Sequence, residues 1–175
     1  MDRLPRTDTH GASDTAILDV RRSRILVADG DDGTLHSIAE ALRREGYEVL
    51  ESKSGVELME YVVDYLLRPD RFAPDAIVTS LSLAGVSGLA ILEGVRAFDG
   101  ELPFFVTAAM GDRRAETARR LGASILYRPL DVDVLVALVQ VAIRHRDAVH
   151  GASQGRRRAV ATQPSLPPPC SRPSR

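Results

Sequence analysis

Five times along this chain a short apolar run gives way to a segment whose apolar residues recur every three or four positions, and that alternation limits the fold more than any other feature. The runs are RILVAD (24–29), YEVLES (47–52), DAIVTSL (75–81), PFFVTA (103–108) and SILY (124–127). Residues 34–44 place Leu35, Ile38, Ala39 and Leu42 at helical spacing, with Gly46 as the stop. Further helices are expected at 55–68, ending before Pro69, at 88–98, at 115–122 and at 132–146. Brief, nearly continuous apolar strands suit a sheet covered on both faces, and strand–helix–strand order makes the strands parallel. The expectation is therefore an α/β fold with one parallel five-stranded sheet. In such sheets ligands gather at the carboxyl ends of the strands. The chemistry is sought at Asp29 to Asp32, Ser80 to Ser82, Thr107 to Ala109 and Arg128.

Composition sets the limits around this unit. The chain has 175 residues, 44% of them hydrophobic, enough for one core of ordinary size. No stretch approaches the roughly 20 consecutive apolar residues that cross a bilayer. The N-terminus MDRLPRTDTHGASDTA has no apolar signal region. One cysteine, Cys170, excludes an internal disulfide and a thiolate zinc cluster. A cytoplasmic, single-domain protein is expected.

Charge is unevenly spread. Residues 151–175 hold five arginines and no acid, a net +5, and five of the chain's ten prolines fall there. Residues 1–22 are neutral, so the part between carries a net −6. The expected organisation is a flexible extension over 1–22, a folded domain over 23–149 and a disordered Arg/Pro-rich tail over 150–175. Arg156, Arg157 and Arg158 have no aromatic interleaving and no helix-turn-helix pattern beside them, so they read as solvated tail rather than a nucleic-acid site. His36, His145 and His150 show no metal-ligand spacing.

The strand ends resemble those of the receiver domain of bacterial response regulators. The likeness runs from about Arg24 to Arg146 and takes in ILVAD, then PDAIVTSLSLAGVSGL where the family has P-D-hydrophobic-D-L-x-L-P-G-x-x-G, then LPFFVTA, LGAS and YRPL in the family's order. It implies a flavodoxin-like, doubly wound (βα)5 fold with strand order 2-1-3-4-5. In the family, two acids after the first strand help bind magnesium and an aspartate ending the third strand accepts phosphate. A Thr or Ser ending the fourth strand and a lysine ending the fifth contact that phosphate. Carried onto this chain, the first acid is Asp29, its neighbour is Gly30, and Asp31 and Asp32 are displaced along the loop. The acceptor position is Ser80, the hydroxyl is Thr107, the lysine is Arg128, and the aromatic switch position falls at Ile125.

These departures have chemical consequences. A phosphohistidine relay needs a carboxylate that is already an anion and that also ligates the cation. A serine hydroxyl is neutral, and is nucleophilic only beside a base. With Ser80 and Gly30 in place of two carboxylates, magnesium binding is expected to be weak or absent. Asp31 or Asp32 is expected to cap the following helix, and Arg128 to pair with Asp29 in place of the cation. The resulting expectation is a pseudo-receiver with no cofactor and no catalysis, signalling by protein contact. The contact face implied by the family combines the fourth helix, fifth strand and fifth helix, where Arg113, Arg114, Arg119 and Arg120 would meet a partner or a second copy. Within the family the alternative is a true phosphorelay receiver with an unconventional acceptor. ILVADGDDGTL also resembles the first motif of haloacid-dehalogenase phosphatases, but Gly30 then replaces the nucleophilic aspartate. The only lysine, Lys53, precedes the second motif instead of following it.

Overall fold

The computed structural model describes residues 22–69 and 72–161, with the backbone alone over 150–161. The elements are β1 (Arg24–Ala28), α1 (Asp32–Arg44), β2 (Glu48–Ser52), α2 (Gly55–Leu67), β3 (Ala76–Ser80), α3 (Gly88–Arg96), β4 (Phe104–Ala108), α4 (Arg114–Arg120), β5 (Ser124–Tyr127) and α5 (Val132–Ala161). The strands form one parallel sheet in the order β2-β1-β3-β4-β5, the order the resemblance implied.

Successive strand residues point to opposite faces, and the core divides accordingly. Ile25, Val27, Val78, Phe105 and Leu126 pack with Leu35, Ile38 and Leu42 of α1 and Leu135, Val139 and Ile143 of α5. Leu26, Ile77, Phe104 and Val106 pack on the other face with α2, α3 and the alanines of α4. Every residue of β3 and β4 is buried. Local capping sets where three helices begin: the side chains of Asp31, Ser54 and Ser87 accept from the backbone N–H three residues on. The Glu57 carboxylate in turn accepts from Lys53 N at 2.8 Å.

Two features were not legible in the local pattern. Arg96, at the end of α3, donates from Nε to the Leu121 carbonyl (2.8 Å) and from Nη1 to those of Leu102 (2.9 Å) and Asp99 (3.1 Å). It thereby ties α3 to the turn between α4 and β5. The second feature is the length of α5, whose backbone stays helical to Ala161 rather than ending at Arg146. The first part of the segment expected to be disordered from 150 is thus helical. No proline interrupts it before Pro164. Residues 162–175 and, apart from Arg22, the expected N-terminal extension lie outside the described residues.

Close approach of α3 to the end of β3 shapes the site. A Cβ on Gly88 would lie 2.3 Å from the Ser80 carbonyl oxygen, whereas one on Gly94 would meet nothing within 4 Å. Gly88→Ala is therefore expected to destabilise the domain by about 1–3 kcal/mol in urea unfolding. Gly94→Ala, in the interior of the same helix, should be neutral or stabilise by up to about 1 kcal/mol.

Candidate functional site

The carboxyl ends of β1, β3, β4 and β5 meet around an open pocket of about 470 Å³, lined among others by Asp29, Asp31, Ser80, Thr107 and Arg128. Strand register sets the pairs: Ser80 lies opposite Thr107, and β5 ends where Tyr127 lies opposite Ala108. Asp29, Ser80 and Thr107 are all buried. Three polar side chains, one just after β1 and the others near the ends of β3 and β4, thus lie together under the loops.

Arg128 organises them. Its Nη2 donates to Asp29 Oδ2 in a close ion pair and approaches Thr107 Oγ1 at 3.4 Å, while Nη1 reaches Thr34 Oγ1 at 3.3 Å. The backbone N–H of Arg128 donates to the Ala108 carbonyl, and the peptide bond to Pro129 is cis. The other oxygen of Asp29 accepts from the backbone N–H of Asp31 at 3.0 Å. Both oxygens of this buried carboxylate are therefore engaged. Asp31 is committed too: its Oδ2 accepts from Thr34 N (2.8 Å) and Thr34 Oγ1 (2.6 Å) at the start of α1. The Thr34 hydroxyl, more than any other influence, holds the Asp31 carboxyl below its ordinary range. Ser80 Oγ accepts from the backbone N–H of Ser82 at 3.2 Å. Among the described residues, neither histidine nor lysine lines the pocket, and no three His, Cys, Asp or Glu side chains gather as a metal would need.

The remaining sequence-derived positions separate. Ile125 is half-buried and packs against the core on the α4 side. The one aromatic residue of β5 is Tyr127, two residues on and so on the same face, at the surface; its hydroxyl accepts from Arg119 Nη2 at 3.3 Å. Arg119 and Arg120 both pair with Glu116, at 2.7 and 3.4 Å, on the outside of α4, and Arg113 is exposed. Arg114 turns from that face to the mouth of the pocket, where it meets Asp112, the Leu81 carbonyl and Ser82. Lys53 pairs with Asp32 at 2.8 Å, joining the loop after β2 to the start of α1. Its role was not apparent from the sequence, because its partner lies 21 residues away.

The profile of the response regulator receiver domain matches residues 25–140. The chain belongs to this family. Among its relatives is the transcriptional regulatory protein PrrA of Mycobacterium leprae, 29% identical over 136 residues that make up 77% of this chain and 55% of PrrA. The DNA-binding transcriptional regulator NtrC of Escherichia coli is 28% identical over 72% of this chain and 26% of its own length. The chain thus spans about half the length of its PrrA relatives. A receiver domain protein from Clostridium thermocellum shares the fold with a TM-score of 0.63, at 23% identity over 73% of this chain and 98% of that one. NtrX from Brucella abortus superimposes with a TM-score of 0.64 at 25% identity, covering 83% of this receiver and 32% of NtrX.

The electrostatics of this receiver's pocket can be tested directly. Removing the Arg128 charge as Arg128→Gln strands the Asp29 carboxylate, which is 4% exposed. We expect a loss of roughly 3 kcal/mol in denaturant unfolding, of the order found when one partner of a buried pair is removed. Adding Asp29→Asn to that variant should restore much of the loss.

Proposed function

We propose that this receiver domain is a non-catalytic signalling module whose output is a protein contact that does not depend on aspartyl phosphorylation. The observation that carries the reading is the serine at the acceptor position, in a pocket whose buried carboxylate is already paired with Arg128. A neutral hydroxyl that accepts a backbone N–H and has no adjacent histidine or lysine is a poor nucleophile. The donor set is equally unsuited to magnesium: Asp29 is ion-paired, Asp31 caps a helix, and a hard cation wants several free carboxylate oxygens. The Arg128 guanidinium supplies in this pocket the positive charge a cation would otherwise bring.

The proposed contact face combines Arg113, just before α4, and Arg119 and Arg120 of α4 with α5. On α5, Val134 (50% exposed), Leu138 (42%) and Val141 (59%) follow one another four and three residues apart. That spacing makes a stripe suited to packing against another helix. A protein partner, in the simplest case a second copy, fits it. No helix among the described residues is long and apolar enough to cross a membrane. The proposed module acts in the cytoplasm, without a nucleic-acid contact.

Acetyl phosphate with magnesium, followed by intact mass, should give no phosphoryl adduct, and calorimetry no magnesium binding in the micromolar range. Either one would overturn the reading. A Cβ at Gly30 has space, its nearest neighbour being the Ser82 carbonyl at 3.9 Å. The variant Ser80→Asp, Gly30→Asp, Arg128→Lys should therefore gain measurable magnesium binding. Leu138→Glu with Val141→Glu should abolish partner capture or self-association, and Ser80→Ala should leave it unchanged. Loss of binding in Ser80→Ala with the fold intact would count against phosphorylation-independent output.

A further inference from the structure

The guanidinium of Arg114 spans two loops that the chain keeps far apart in sequence. On its own side, Asp112 Oδ1 accepts from Arg114 N (3.0 Å) and Nε (3.1 Å), and Asp112 Oδ2 accepts from Nη2 (2.7 Å). Across the mouth of the pocket, Nη2 also donates to Ser82 Oγ at 3.1 Å and Nη1 to the Leu81 carbonyl at 3.4 Å. Ser82 in turn donates its backbone N–H to Ser80 Oγ. A continuous polar path thus runs from the acceptor position through the loop after β3 to the first residue of α4.

Packing leaves α4 in need of such a tie. The helix has seven residues and its only buried side chains are Ala115 and Ala118, which together remove little apolar surface from water. Its N-cap residue, Arg113, makes no side-chain cap bond, so the Asp112 carboxylate is what receives the N–H of Arg114. That carboxyl is held below its ordinary range chiefly by the hydrogen bond from the Arg114 side chain, in keeping with a two-point, charge-assisted contact. A lysine could not make the same fork.

We propose that Arg114 is a positioning residue: it clamps the β4–α4 loop to the β3–α3 loop and thereby sets the place of α4 on the contact face. The clamp is made by one side chain of the protein itself. The inference rests on the proposed function only in what it says of the contact face; the clamp itself stands on the geometry alone.

Hydrogen exchange on the full chain tests it, comparing Arg114→Gln, Arg114→Lys, Ser82→Ala and, as a control of equal charge, Arg44→Gln at the exposed end of α1. In Arg114→Gln, amides of residues 81–84 and 109–116 should exchange faster together, by roughly tenfold, as loss of a charge-assisted bond implies. Residues 104–107 should not change. Arg114→Lys should behave like Arg114→Gln, Ser82→Ala should loosen both loops by less, and Arg44→Gln should match the parent. Unchanged exchange in Arg114→Gln, or equal acceleration in Arg44→Gln, would overturn the clamp. Should Arg114→Gln unfold, the milder Ser82→Ala decides by the same two segments. Self-association measured by sedimentation should also weaken in Arg114→Gln. Loosened loops with undiminished association would refute the positioning of the face. A parent chain that does not associate at all would refute the self-contact while leaving the exchange result to judge the clamp.

Discussion

Burial of the sheet on both faces governs the rest of this structure. With every residue of β3 and β4 enclosed, polar side chains are few along these strands and collect toward their carboxyl ends, as Thr79, Ser80 and Thr107 do. There the chain turns into loops and the N-termini of the next helices. Asp29, Ser80, Thr107 and Arg128 lie together for that reason. The same enclosure makes each of them consequential, because a buried polar group without a partner costs more than the bond it would make contributes.

The Asp29–Arg128 pair is the sharpest case. A carboxylate this deeply enclosed requires a positive charge close by, and the guanidinium, reaching in from the end of β5, provides it while also approaching Thr107 and Thr34. One side chain thus links the ends of β1, β4 and β5 with the start of α1. Arginine suits the task because its fork can engage several acceptors at once. Arg96 does the same at the opposite end of the sheet, where its acceptors are backbone carbonyls. Arginines therefore join the edges of this small domain at both ends, in a chain with a single lysine.

Arg128 and Arg114 divide the pocket between them. Arg128 ties the strand ends beneath it, and Arg114 ties the loops at its rim. The arginines that remain turned outward on α4 are paired only along the helix or with Tyr127, or, like Arg113, are simply exposed. Such surface ion pairs contribute little to stability.

How much of this could be read in advance depends on the range of each interaction. The order of elements, the parallel sheet and the helix starts were all legible, because apolar periodicity and capping act over a few residues; Asp31 capping α1 is one instance. The positions of Asp29, Ser80, Thr107 and Arg128 at strand ends followed from the same pattern. What escaped was which arginine faces inward. Arg113 and Arg114 are neighbours of one chemical type, and only the fold brings Leu81 and Ser82, more than thirty residues earlier, within reach of the second. The partners of Lys53 and Arg96 were hidden for the same reason, as was Tyr127 beside Arg119. The sequence alone determined the layered architecture and the place of the pocket, since both arise from local hydrophobic pattern. Apart from the Asp29–Arg128 pair, which was expected, the tertiary structure decided which charges meet, since a guanidinium on a long, flexible stem takes its partner from whatever the packed backbone sets before it.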